Sequence, residues 1–90
     1  MIVTVVKVTD LDQFLAVFAT KGKVKRREHG CRGARVFLDP DDHQRVWAVF
    51  DWDAEDYAGF LADPEIPAIA RKLALVAPPV HAVAAAEYDS

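Results

Sequence analysis

Three histidines, one cysteine and two tryptophans are the side chains here whose types lend themselves to chemistry. His29 ends a strongly basic stretch, and His81 follows Pro79 by two residues. Either imidazole could take a proton from a phenolic substrate, because histidine titrates near neutral pH. A base needs to come within ~3 Å of the hydroxyl it deprotonates. The plain structural role for His29 is a cation at a helix C-terminus. His43 lies in the polar run Asp39–Gln44 and is expected in solvent. Trp47 and Trp52 offer flat faces for an aromatic ligand and an N–H to orient its oxygen. At alternating positions beside Phe50 they serve equally well as core. Tyr57 and Arg35 can orient ligand oxygens, and Arg35 can instead pair with Asp51 across a hairpin. The catalytic candidates are therefore His29 and His81, and the ligand-binding candidates are Trp52, Phe50, Tyr57, Arg35 and Trp47.

Other chemistries find little support. The histidines are widely spaced, with no His-x-x-x-His, Glu-x-x-His or paired cysteines, so no metal site is expected. Gly30-x-x-Gly33 lacks the third glycine and the strand-to-helix setting of a phosphate loop. The only serine is Ser90, which leaves no serine-nucleophile motif. Cys31 is the only cysteine, so no internal disulfide can form, as expected in a reducing cytoplasm. It is read as a small packed residue, with a reactive thiol in a basic loop as the alternative.

The 90 residues are expected to form a single domain, 1–90. A chain of this length buries only about 60–65% of its unfolded surface. Net charge is −3, which does not point to nucleic acid, although seven of the eleven Lys and Arg fall between Lys21 and Arg35. That cluster is read as a solvated helix end, or alternatively as a field that steers an anionic ligand. No apolar run reaches the ~18–20 residues of a membrane span. No signal peptide is evident, and a cytoplasmic location is expected.

Ile2 to Val8 is β-branched and reads as a strand. Thr9 or Asp10 can cap a helix whose apolar face is Leu11, Phe14, Leu15 and Phe18. Gly22 weakens that helix in its middle, and Gly30 suits the position after its end. Gly33–Leu38 and Arg45–Asp51 form a hairpin about the turn Asp39-Pro40-Asp41-Asp42. Asp53 caps the next helix, with Tyr57, Phe60 and Leu61 as its stripe. Pro64 is expected to open a short further helix as its first residue. Val80 to Tyr88 reads as a last strand. The order β-α-β-β-α-β predicts a ferredoxin-like α+β fold with a four-stranded antiparallel sheet.

Both faces of the predicted strands are apolar. Val46, Ala48, Phe50 and Trp52 oppose Trp47 and Val49; Ile2, Val6 and Val8 oppose Val3 and Val5. Helices can cover only one face, and the other would leave a patch larger than a soluble monomer tolerates. A homodimer through the uncovered faces is therefore expected.

The segment Gly30-x-x-Gly33-x-Arg35-Val36-Phe37, followed by Asp39-Pro40-Asp41-Asp42, Trp52-Asp53 and Leu61-Ala62-Asp63-Pro64, resembles the dimeric α+β barrel superfamily. Within it, the chain is most similar to antibiotic-biosynthesis-monooxygenase-type domains. The resemblance spans nearly the whole chain, and its motifs are structural. It implies a homodimer in which each half-barrel encloses a small cavity. Some members oxidise polycyclic phenols or quinols with O₂ and no bound cofactor, and others degrade haem. This chain has no asparagine, and Phe60 stands where many members carry a histidine. A phenyl ring cannot coordinate iron, so haem is not expected.

These readings converge on a small homodimer resembling a cofactor-independent monooxygenase that acts on a phenolic or quinol-like aromatic compound. The alternatives are a non-catalytic dimer that binds a small ligand or plays a structural part, and a lactone-type isomerase on the same fold.

Overall fold

The computed structural model describes all 90 residues. Its elements run β1 (Ile2–Lys7), α1 (Leu11–Ala19), α2 (Lys21–Glu28), β2 (Gly33–Leu38), β3 (Arg45–Asp51), α3 (Ala54–Ala62), α4 (Ile66–Arg71) and β4 (Val80–Val83). The sheet order is β2-β3-β1-β4 with every neighbouring pair antiparallel. This is the expected ferredoxin-like α+β arrangement. A short axis of 19 Å fits two layers, one sheet and one layer of helices.

Strand alternation decides what the helices cover. Ile2, Thr4, Val6, Val46, Ala48 and Phe50 face the helices and are buried. Phe14 of α1 and Tyr57 of α3 pack onto them, joining two core clusters. Val3, Val5, Trp47 and Val49 lie on the opposite face, which no helix covers.

Four local expectations change. The first helix is two helices, broken at Thr20, whose hydroxyl donates back to the Ala16 carbonyl at 2.7 Å. Such back-bonding bends helices. Pro64 does not open the fourth helix: it lies in the preceding turn, the helix begins at Ile66, and the proline in its first turn is Pro67. Asp53 stands at the start of α3, but its carboxylate is taken by Arg32 at 3.2 Å rather than by a backbone N–H. The last strand stops at Val83, because its ladder partner β1 runs out: Val83 pairs with Ile2, and the Ala84 N–H donates to Met1 O at 3.1 Å.

Asp10 does cap α1, accepting from the Gln13 N–H at 3.0 Å. Gly30 closes α2 with φ +83°; the Gly30 and Cys31 N–H groups donate to the carbonyls of Arg27 and Arg26, a Schellman closure. A Cβ at Gly30 would also come within 3.1 Å of Asp56 Oδ2. Gly30→Ala should therefore cost about 1–2 kcal/mol, lowering Tm by roughly 5–15 °C. A thermal melt unchanged by that substitution would contradict the closure.

Candidate functional site

Between the covered sheet face and the helices lies a cavity of about 130 Å³. An engineered cavity of about 150 Å³ in another protein holds benzene, so one aromatic ring is the scale of this space. Its wall follows from helical spacing. Phe14 and Phe18 come from α1, Tyr57, Phe60 and Leu61 from α3, and Ile66, Ile69 and Ala70 from the α4 segment. Phe50 and Ala48 form the sheet side. The rings touch in series: Phe14 to Phe18 at 5.5 Å, Phe18 to Phe50 at 6.0 Å, and Phe50 to Tyr57 at 6.5 Å between centroids.

Three polar side chains reach this apolar lining: Thr4, Tyr57 and Arg26. Thr4 Oγ1 is buried without a hydrogen-bond partner. Burial raises the Tyr57 phenol above its ordinary pKa, against a smaller lowering by the neighbouring Thr4 hydroxyl, so the group stays protonated at neutral pH. Arg26 is only 9% exposed. Its guanidinium lies 3.9 Å over the Phe18 ring, and Nη1 donates to Phe18 O at 3.0 Å. Burial lowers the Arg26 pKa, since a charged form loses solvation there.

Of the side chains singled out in the sequence, Phe50 and Tyr57 line the cavity. Trp52 stands behind it, 1% exposed, packed edge-on against Phe60 at 4.9 Å. Its N–H is already given to His29 O at 2.7 Å, so it cannot orient a ligand. Trp47 and Arg35 are on the opposite sheet face. The Trp47 N–H donates to Asp39 Oδ2 at 3.1 Å, and Arg35 borders a shallow depression with Phe37 and Val49. Arg35 does not hold Asp51; Arg32 does, at 3.0 Å. Neither histidine is part of the lining. His81 faces the helices from β4, its ring 5.1 Å from Tyr57. His29 packs edge-on against Phe60 at 6.0 Å, and its Nε2 meets Asp63 Oδ2 at 2.8 Å.

The His29 carboxylate partner belongs to a structural network. Lys25 Nζ binds Glu28 at 3.0 Å, Asp63 at 3.1 Å and also Glu65. Glu28, His29 and Asp63 bring ligand atoms within 4.8 Å of one another, but the Lys25 ammonium already pairs with both carboxylates. Cys31 donates its thiol to Gly33 O at 3.3 Å beside a groove lined by Lys23, Arg26, Arg27 and Arg32. No helix is long and apolar enough to cross a membrane.

Sequence reasoning missed Thr4 and Arg26. Phe18, Gly22 and Arg26 recur every four residues, the spacing of one helix face, and that stripe was the available signal for Arg26.

No protein-family model matches the sequence, and no curated protein matches it. Solved structures do match. SnoaB, a cofactor-independent oxygenase from Streptomyces nogalater, is 20% identical with a TM-score of 0.75 over 99% of this chain and 95% of that one. A candidate antibiotic biosynthesis monooxygenase from Bordetella bronchiseptica is 18% identical with a TM-score of 0.76 over 94% of this chain and 95% of that one. A similarly described protein from Nitrosomonas europaea is 18% identical with a TM-score of 0.67 over 98% of this chain and all of that one. The chain thus has the fold of the antibiotic-biosynthesis-monooxygenase-type domains.

The Asp63 carboxyl is held well below the usual carboxylate range, first by His29, then by the Glu65 N–H and Lys25. A depressed folded-state pKa adds stability that is present above the unfolded value, ~3.9, and is lost as pH falls through the folded one. Asp63→Asn should lower Tm at neutral pH, and the gap to the parent protein should close as pH drops below about 4. A gap of constant size across that range would contradict the network.

Proposed function

We propose that this chain is a cofactor-independent monooxygenase that acts on a phenolic or quinol-like aromatic compound and works as a homodimer. The observation that carries the reading is the ring-sized apolar cavity, in a fold shared with a protein described as a cofactor-independent oxygenase. The volume favours a single ring over a polycyclic substrate. In the simplest version a phenol is deprotonated, and the electron-rich ring reacts with O₂. One oxygen atom enters the ring as a quinone carbonyl. The other leaves as water with the phenolic hydrogen and one ring hydrogen, so no outside reductant is required.

His81 is the better-placed base of the two candidates. It packs on Tyr57, which lines the cavity, and its ring makes no side-chain hydrogen bond, whereas His29 Nε2 is engaged by Asp63. Phe50 and Tyr57 shape the pocket. Trp52 supports it from behind, and Trp47 and Arg35 belong to the uncovered sheet face.

That face supports the homodimer. Trp47 is 38% exposed, Phe37 49% and Val80 70%, all on the side away from the helices. A second copy covering the patch by an isologous contact removes it from water. A second reading is a non-catalytic binding protein. It is favoured by a lining that contains neither imidazole nor carboxylate.

Oxygen uptake by metal-free protein with monocyclic quinols and phenols tests the first reading. Saturable uptake that requires folded protein is expected, and His81→Ala should reduce turnover far more than binding. Absence of uptake, with the same compounds still raising Tm, would favour the binding reading. Sedimentation at low micromolar concentration should show a species of twice 10.0 kDa, and Trp47→Glu should shift it towards the single chain. A single-chain species in the parent protein would contradict the dimer.

A further inference from the structure

We infer that Arg26 is the anion-binding group of this cavity, and that its ligand is a single-ring aromatic carrying one ionised oxygen. The inference rests on the cavity being the ligand site; it does not require oxygen chemistry.

A guanidinium carries five N–H donors and stays charged in proteins. In Arg26 one of them has a partner in the chain, the Phe18 carbonyl. None of the chain's ion pairs includes Arg26, although the neighbouring Lys25 holds three carboxylates and Arg32 holds two. A nearly enclosed cation with no counter-ion is costly unless something anionic joins it. The Cys31 thiol beside Arg26 donates to Gly33 O at 3.3 Å. Lys23, Arg27 and Arg32, which line an outer groove together with Arg26, are themselves cationic.

The position is also shaped for this group. A Cβ on Gly22 would lie 3.0 Å from Arg26 Nη1, so the bare glycine leaves the guanidinium its room. The charge lies flat on Phe18, a ring that belongs to the cavity wall. Thr4 Oγ1, 7% exposed and beside the Tyr57 hydroxyl, is a second polar atom on the same lining. A phenolate or similar oxyanion satisfies Arg26 by charge-assisted hydrogen bonds, which are stronger than neutral ones. Its ring fills a space close to that which holds benzene.

The test uses 4-nitrophenol, whose phenolate absorbs visible light and whose neutral form does not, with phenol as a probe that stays neutral near pH 7. Titration on either side of the probe's own pKa should show the phenolate bound at least about tenfold more tightly, so the bound probe ionises about one pH unit lower. Arg26→Met should bind phenol as the parent does and lose the phenolate preference. Arg26→Lys should keep much of it, which also covers the case in which the methionine variant fails to fold. Equal affinity for the two forms in the parent protein would overturn the inference. So would a preference that survives in Arg26→Met, a loss in Arg26→Lys as complete as in Arg26→Met, or no binding of either probe. Displacement of the phenolate by inorganic phosphate would place the anion in the outer groove that Arg26 shares with Lys23, Arg27 and Arg32, outside the cavity, and also overturn it. The readout needs no turnover, so a failed oxygenase assay leaves it intact.

Discussion

One sheet with two apolar faces, and helices enough for only one, is the constraint on which everything else depends. The covered face takes its aromatic residues from both helical halves of the chain, and Phe18, Phe50, Tyr57 and Phe60 meet there around a small cavity. The uncovered face keeps Trp47, Phe37 and Val80 in contact with solvent. Cavity and exposed apolar patch are therefore two results of one alternation along β1, β3 and their neighbours.

Holding the helices over the sheet falls to a short polar chain at one end. Asp63 binds the His29 imidazole, the His29 carbonyl accepts from the Trp52 indole, and Trp52 supports Tyr57 and Phe60 from behind. Lys25 adds the charge that lets Glu28, Asp63 and Glu65 lie close together. His29 and Trp52 thus serve the position of the site rather than its lining. The polar atoms left for a ligand are those of Thr4, Tyr57 and Arg26.

Much of the fold was legible because strand alternation and capping act locally. The faces of β1 and β3 follow directly from period two, and Asp10 and Gly30 do what their side chains permit. The break at Thr20 was harder to read, because it depends on a hydroxyl choosing the Ala16 carbonyl. The end of β4 was illegible in its own composition: Ala84 to Tyr88 could continue a strand, but β1 offers no further partner. In the site, Phe50 and Tyr57 were found through their spacing. Arg26 was lost among its basic neighbours, since net charge does not tell a buried guanidinium from a solvated one. Its register with Phe18 and Gly22 does.

The most direct measurement is a crystal structure of the protein soaked with 4-iodophenol, with the iodine located by its anomalous scattering. The expected position is inside the cavity between Phe50 and Ile69, with the phenol oxygen turned towards Arg26. Iodine found only on the open sheet face beside Arg35 and Phe37, or only in the groove at Cys31, would contradict a ligand site between sheet and helices.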